Sequence, residues 1–388
     1  MSLDLDKSDW KPVTFGDVVS EVRKSTKDPV AEGIERVVGL EHIKRECIHL
    51  RNWASIDEET TFTKTFQKGH VLFGRRRAYL KKSAQAQFQG ICSGDITVME
   101  AKDNLLPELL PFLVCNDKFF DYAVQHSAGG LSPRTKFKDL ANYEFLLPPK
   151  DQQAKLAELL WAGDKQSLAH ERAKETHEVA LKSFVHDRIL DNPEATEIQL
   201  NDVVESMKGG KSPVCKNEAY VPGTPGILKT SAVTSGRFVS SEAKTAKTED
   251  LGSLSVTVEA DSILINRKNT RELVGVSCYT TESHPHLYLS DLIWQIRPNE
   301  KILAKYLFYI LSSSRVLNRF AAISNGTSTS MVNIAKGNVV KLRISVPTLN
   351  RQKTILTEVE RFESSERRLE TSVAASKQLL KSLINQIF

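Results

Sequence analysis

The stretch Leu147-Pro148-Pro149-Lys150-Asp151-Gln152-Gln153 has a counterpart near the end of the chain, Val346-Pro347-Thr348-Leu349-Asn350-Arg351-Gln352. Each stretch opens a segment without further proline, which runs from Asp151 to Leu190 in the first case and from Asn350 to Phe388 in the second. Such a segment following a proline predicts a long helix. The sequence therefore predicts two long helices at equivalent places in a repeated plan.

Other landmarks recur in the same order in both halves. They are Phe15–Val19 with Leu200–Val204, Gly69–Phe73 with Asp261–Ile265, Ser93–Ile96 with Leu289–Leu292, and Leu106–Leu113 with Ile302–Tyr309. The offset drifts from 185 residues at Phe15 to 199 at Gln153, so the copies differ by a few loop insertions. A repeat this large predicts a pseudo-two-fold protein, which usually meets a two-part target or two copies of a partner.

Each half has the short apolar runs of a mixed α/β domain, with one amphipathic helix predicted from Pro107 to His126 and its counterpart from Ala304 to Phe320. We predict an α+β fold in which two pseudo-symmetric globular domains are separated by two long antiparallel helices that form a coiled coil. The predicted boundaries are 1–147 for the first domain, 148–193 for the first helix, 194–346 for the second domain and 347–388 for the second helix.

The long helices carry a seven-residue apolar pattern, whose steps of four and three are typical of a coiled-coil seam. In the second helix the predicted seam contains Ile355, Val359, Phe362, Leu369, Val373, Leu380, Leu383 and Ile387. The same phase in the first helix gives Leu156, Leu160, Leu181 and Phe184, with a more polar middle. A helix this long cannot bury its stripe against one small domain, so we expect the two helices to pack on each other.

Composition narrows the class of protein only in part. The chain has 388 residues and a net charge of +5, which is compatible with nucleic acid but does not require it. Five dispersed cysteines without a Cys-x-x-Cys pair indicate reduced thiols rather than disulfides or zinc. With no signal peptide at the start and no apolar run long enough for a bilayer, we expect a soluble, cytoplasmic protein.

No catalytic motif is complete. Gly209-Gly210-Lys211-Ser212 resembles the end of a phosphate loop, but Glu205 stands where that motif needs glycine. His284-Pro285-His286 has no third metal ligand in a suggestive position, and no serine or cysteine nucleophile has a recognisable partner histidine. The sequence therefore predicts a binding protein without a metal, cofactor or catalytic residue of its own.

Basic clusters follow equivalent strands in the two halves, and arginine with asparagine is suited to phosphate contacts and base edges. A surface loop whose cations pair with acids is the alternative interpretation. Two small, polar loops, Ser127–Lys136 and Ser324–Met331, could also approach phosphates. The predicted DNA-binding residues are Arg75, Arg76, Arg77, Tyr79, Lys81, Arg134, Lys136, Lys211, Asn266, Arg267, Lys268, Asn269, Arg271 and Ser328.

These features together resemble the specificity subunit of a type I restriction–modification system, nearly end to end. The resemblance rests on the repeated unit, the turn Gly209–Pro213, the strands Lys68–Phe73 and Ala260–Leu264, and the proline–glutamine motifs that open both helices. The sequence departs from the family where Gln152 and Arg351 replace a glutamate.

The resemblance implies that each domain is a target-recognition domain reading one half of a bipartite site in double-stranded DNA, and that the helices fix the spacing. It also implies two methyltransferase subunits docked along the helices, joined by restriction and translocase subunits. S-adenosylmethionine, ATP and Mg²⁺ would then belong to those partners. The residues leave three alternatives: a coiled-coil scaffold for proteins, a stand-alone nuclease or methyltransferase, and an orphan or phage-borne specificity subunit.

Overall fold

The structure is a computed structural model that describes residues 5–56, 60–215, 218–328 and 331–388, without the side chains of Thr327 and Ser328. The chain forms two compact units. The first contains residues 1–173 together with 369–388, and the second contains residues 174–368. Each unit therefore takes a part of both long helices as well as one globular half of the chain.

The first unit is built from short strands and helices. Its strands are β1 (Lys11–Thr14), β2 (Val19–Glu21), β3 (Arg36–Val38), β4 (Ala54–Ser55), β5 (Lys64–Phe66), β6 (Val71–Gly74), β7 (Ser83–Gln85), β8 (Gly90–Cys92), β9 (Ile96–Ala101) and β10 (Glu144–Leu147). Its short helices are α1 (Phe15–Val18), α2 (Leu110–Cys115), α3 (Asp117–Gln125) and α4 (Phe137–Leu140), and α5 (Lys150–Val185) is the first long helix.

These strands form two four-stranded sheets, ordered β2-β9-β6-β7 and β4-β3-β8-β5, and the pair β1-β10. Strand β6 lies antiparallel to both β7 and β9, and all of its residues are buried. A strand buried on both faces reads as a continuous apolar run, as Val71-Leu72-Phe73 does. One face packs against Phe119 and Phe120 of α3 in the main core of this unit.

The second unit repeats this plan. Its strands are β11 (Thr196–Gln199), β12 (Val204–Gly209), β13 (Gly226–Leu228), β14 (Ala243–Thr245), β15 (Thr257–Val258), β16 (Ser262–Asn266), β17 (Lys268–Asn269), β18 (Ser277–Thr280), β19 (His284–Tyr288), β20 (Ile293–Pro298), β21 (Asn325–Ser328), β22 (Met331–Asn333) and β23 (Arg343–Val346). Its helices are α6 (Ala304–Leu311), α7 (Ser314–Ile323), α8 (Lys336–Val339) and the second long helix, α9 (Leu349–Ile387).

Three sheets have the same strand order in both units, and the second unit has a further sheet, β17-β22-β21. The sheets β12-β20-β16-β18 and β14-β13-β19-β15 and the pair β11-β23 reproduce the three of the first unit position by position. Even the parallel pairing recurs, between β3 and β8 in the first unit and between β13 and β19 in the second. The predicted duplication and the mixed α/β fold with long helices are confirmed.

Within each unit the parts of α5 and α9 run antiparallel. In the first unit Glu171 pairs with Lys377 at 2.7 Å, and a Cβ added at Gly163 would lie 3.4 Å from Leu380. In the second unit the Phe362 carbonyl oxygen lies 2.8 Å from Nε2 of His177. Partner numbers along α9 fall as those along α5 rise, which is the antiparallel order.

The structure places the predicted seam residues in two cores. Leu156, Leu160, Leu383 and Ile387 belong to the core of the first unit, with Leu380 packed against it. Ile355 and Val359 belong to the core of the second unit, with Leu181 and Phe184 packed against it. Phe362, Leu369 and Val373 are half-buried.

The helices predicted from Pro107 to His126 and from Ala304 to Phe320 were wrong as single helices. Each is broken into two, α2 and α3 in the first unit and α6 and α7 in the second. Asn116 has extended backbone angles between α2 and α3, and its side chain accepts a hydrogen bond from the N–H of Phe119. Ser313 breaks the second pair in the same way and caps α7 by accepting from Val316. Asparagine and serine compete with the helix by bonding the backbone locally, which favours them at N-caps over helix interiors.

Candidate nucleic-acid interface

Arg75, Arg76 and Arg77, the arginine segment, follow β6 directly. The N–H of Arg75 donates to the Asp95 carbonyl at 2.9 Å, and the Arg75 carbonyl accepts from Thr135 at 2.9 Å. The N–H of Arg77 donates to the Pro133 carbonyl at 2.8 Å. The segment is therefore held between the turn that precedes β9 and a second loop, residues 128–134, which we call the tip loop.

Asp95 joins these loops electrostatically. Its carboxylate accepts from Nε of Arg134 at 2.7 Å and lies 3.4 Å from Nη1 of Arg76. The hydrogen bond from Arg134, helped by the charges of both arginines, holds the pKa of Asp95 below its usual range. One carboxylate thus orders two guanidinium groups and leaves their combined charge positive.

Arg75 and Arg77 differ from Arg76, because the described part of the chain gives them no acidic partner. Among the described residues no carboxylate lies within ion-pair distance of Arg75 or Arg77, and Nη2 of Arg77 reaches only the Leu131 carbonyl, at 3.4 Å. Arg77 also has a φ of 53°, a left-handed conformation that is uncommon for a residue with a side chain. Tyr79 beside it is half exposed. Unpaired cations on an anchored loop are available for phosphates.

Arg267 occupies the place of Arg75 in the second unit. Its N–H donates to Leu292 at 2.9 Å, and its carbonyl accepts from Ile334 at 3.1 Å, which reproduces the bonds of Arg75 to Asp95 and Thr135. Its guanidinium lies 5.5 Å from the ring centre of Trp294, a cation–π distance. The two units therefore present an arginine at the same backbone position, as the alignment of the two halves predicted.

Three of the predicted DNA-binding residues are buried or paired within the fold. Asn266 is fully buried at the end of β16, and Asn269 is buried with its side-chain oxygen accepting from Thr270, so neither amide faces a ligand. Lys81 forms a close ion pair with Asp117, which Asn385 of α9 also contacts. These side chains stabilise the fold and do not belong to the exposed basic surface.

The other predicted residues are distributed around this surface. Lys136, Lys211, Lys268 and Arg271 are exposed. Arg134 belongs to the tip loop and forms an isolated bridge with Arg76. Ser328 ends β21, but its side chain lies outside the described part of the chain.

A groove that sequence reasoning missed lies beside each arginine position. In the first unit a groove of 490 Å³ is lined by Arg23, Lys24 and Lys64 and by the turn Ser93–Asp95. In the second unit a groove of 880 Å³ is lined by Ser212, Lys229, Lys244 and Ser290. These lysines lie on separate strands and turns, so no local pattern marks them. The two copies share one local signal, a serine that begins the turn before β9 and before β20, Ser93 and Ser290.

Within residues 5–56, 60–215, 218–328 and 331–388, no group of three or more His, Cys, Asp and Glu residues could hold a metal ion. In the same described ranges, no helix combines the length and apolar character of a membrane span.

Comparisons with known proteins agree with one another. Residues 193–375 match the family described as type I restriction modification DNA specificity domain. A stretch of 167 residues is 28% identical to the type I restriction enzyme EcoEI specificity subunit of Escherichia coli, and it covers 42% of this chain and 28% of that relative. The match thus spans well under half of that protein.

Solved structures share the whole fold. A chain solved in work on complex assembly and conformational transition of the type I R-M system has a TM-score of 0.62 at 18% identity, covering 98% of this chain and 97% of its own. The type I restriction–modification S subunit from M. genitalium has a TM-score of 0.57 at 14% identity, covering 100% and 98%. At such identities the likeness shows the fold alone.

The fold and the repeated arginine position define a protein of two similar units, each of which contains parts of both long helices. Its second half is similar to the type I restriction modification DNA specificity domain, and its fold is similar to that of the M. genitalium S subunit.

Proposed function

We propose that this chain is the DNA-reading subunit of a type I restriction–modification complex in the cytoplasm. Each globular half reads one part of a bipartite, asymmetric site in double-stranded DNA, and the long helices set the spacing between the parts. The observation that carries the proposal is the equivalence of Arg75 and Arg267. Their backbones make equivalent hydrogen bonds in the two copies of one fold.

The chemistry around Arg75 supports contact with a polyanion. The arginine segment, Arg134 and Lys136 bring five cations to one surface, and Asp95 is the acid paired within it. Most of the affinity of such a surface comes from neutralising phosphates, and sequence choice comes from side chains that reach base edges. We assign the phosphate contacts to the arginine segment and the base contacts to the side chains that line the grooves beside it.

The helices supply the proposed docking sites for protein partners. Val179 on α5 is 67% exposed and Leu379 on α9 is 38% exposed. Exposed apolar side chains on long helices suit a protein interface. The proposed partners are two methyltransferase subunits, which would carry S-adenosylmethionine, and restriction subunits, which would carry ATP and Mg²⁺.

The test is selection of duplexes from a random library by the purified chain, followed by affinity measurements over a range of salt. We expect a two-part consensus and an affinity that falls steeply with salt. A protein-binding scaffold would show neither effect. Turnover by the chain alone with DNA, Mg²⁺ and S-adenosylmethionine would instead support a stand-alone enzyme and contradict the proposal. An orphan subunit would give the same DNA result, and it would differ by the absence of partner genes beside its own.

A further inference from the structure

Leu131 is the most exposed large apolar side chain of the described residues, with 95% of its surface accessible. It stands in the tip loop between Gly130 and Ser132, so its neighbours in the chain are too small to cover it. An isolated exposed leucine needs no explanation by itself. Leu131 differs from other exposed leucines because its loop is fixed by hydrogen bonds and lies next to several arginines.

The tip loop is fastened on both sides of Leu131. Ala128 and Arg134 exchange two backbone hydrogen bonds, of 3.0 and 2.9 Å, which close the loop at its base. The Leu131 carbonyl accepts from Arg77 at 3.4 Å, and the Ser132 hydroxyl accepts from Arg76 at 3.2 Å. The arginine segment thus holds an apolar side chain pointing away from the core on an ordered loop.

The occupant that fits this arrangement is a nucleic-acid duplex. A hydrophobic protein partner would be expected to meet an apolar patch, whereas the loop that carries Leu131 is bonded to Arg76 and Arg77 and contains Arg134. Proteins that unstack a base step insert an apolar side chain such as leucine or methionine between the bases. Neighbouring cations bind the phosphates on either side.

The second unit has a related exposed apolar side chain. Asn333 is the counterpart of Arg134, because it pairs with Lys268 and Asn325 as Arg134 bridges Arg76 and Ala128. Met331 is 44% exposed and lies on β22 two residues before Asn333, the residue that pairs with Lys268 and accepts from Nε of Arg267. An exposed apolar side chain therefore occurs near the same arginine position in both units, although Met331 stands one residue nearer to Asn333 than Leu131 does to Arg134.

Building on the DNA-reading function proposed above, we propose that Leu131 and Met331 are wedges, each of which inserts between adjacent base pairs of its half-site and opens that step. The specificity subunit then deforms the DNA as well as reading it. Because steps differ in the cost of unstacking, the wedges add sequence preference at positions that make no hydrogen bond to the protein.

The experiment uses the full chain and a duplex selected from a random library, into which a single abasic residue is introduced at each position in turn. Removing a base lowers the cost of opening a step. We expect one position in each half-site where the abasic duplex binds roughly tenfold more tightly than the intact one. Leu131→Ala abolishes that gain in one half-site and Met331→Ala abolishes it in the other. Leu131→Met, which keeps a large apolar side chain, retains the gain.

The matched control is Leu146→Ala, the same change at a half-exposed leucine of β10, and it leaves the abasic profile unchanged. Circular dichroism confirms folding of each variant. A wild-type profile without a favoured position, or a Leu131→Ala profile identical to wild type, overturns the wedge while sequence-selective binding persists. Absence of sequence-selective binding to any intact duplex overturns the DNA-reading function and the wedge together.

Discussion

Gln153 and Gln352 make the same three hydrogen bonds in the two units. The Oε1 of Gln153 accepts from Leu106 at 2.8 Å, and its Nε2 donates to the carbonyls of Asn104 at 3.0 Å and Pro148 at 2.9 Å. Oε1 of Gln352 accepts from Leu303 at 2.8 Å, and its Nε2 donates to Lys301 at 3.1 Å and Pro347 at 2.9 Å. Both side chains are buried, so each long helix is tied at its start to the loop before the unit's short helices.

Replacing either glutamine with methionine, of similar size, should destabilise its unit. The change leaves a backbone N–H and two carbonyls without partners, so we expect the free energy of unfolding to fall by about 2–4 kcal/mol. Urea unfolding of Gln153→Met and Gln352→Met measures the effect. Gln166→Met, an exposed position on α5, is the control and should change little. A loss below about 1 kcal/mol at both glutamines would contradict the inferred role of these bonds.

The double substitution Arg75→Ala with Arg77→Ala should weaken DNA binding and flatten its dependence on salt. Removing one cation that neutralises a phosphate lowers the slope of log affinity against log salt by about 0.9, so we expect a decrease of roughly 1–2. The measurement is duplex affinity at several salt concentrations. Arg172→Ala, an exposed arginine of α5, serves as the control. An unchanged slope in the double variant would remove the arginine segment from the interface.

Asp95→Asn should loosen the tip loop at neutral pH. Because Arg134 and Arg76 depress the pKa of Asp95 below its ordinary value of 3.8, the stabilisation by this carboxylate is complete above 3.8 and is lost as pH falls through the lower folded-state value. We expect faster amide exchange over residues 128–134 in the variant at pH 7, with the difference from wild type disappearing in acid. Asp121→Asn, an exposed acid on α3, is the control. Equal exchange in both proteins at pH 7 would contradict the role of Asp95.

Thiol reactivity should divide the five cysteines into two groups. Burial raises the pKa of Cys92, Cys115 and Cys278 to about 12, so these thiols stay protonated at pH 8. We therefore expect a thiol reagent to modify Cys47 and Cys215 first in the folded protein and the other three only on unfolding. Mass spectrometry of the labelled peptides identifies the sites. Rapid labelling of Cys92 or Cys278 would show that the unit's core opens readily.

The parts of the site that depend only on neighbouring residues in the chain could be predicted from the sequence. Arg75 and Arg267 follow apolar strands that align between the halves, so their equivalence could be seen in the chain itself. Asn266 looked similar, but it is fully buried and its Nδ2 contacts the Thr230 carbonyl, 36 residues away in the sequence. Lys81 meets Asp117 across 36 residues of sequence, and no spacing rule predicts such a pair. The break at Asn116 has a local signal in the chain, because asparagine is a favoured N-cap residue.

The sequence by itself determined the duplication, the long helices and the apolar seam, because periodicity and the order of motifs are properties of the chain. Tertiary structure alone decided which cations pair with acids, which amides are buried and which apolar side chain protrudes. The physical reason is that burial and ion pairing depend on residues brought together from distant parts of the chain. Asp95 and Arg134 make this plain, since 39 residues separate two groups that lie 2.7 Å apart.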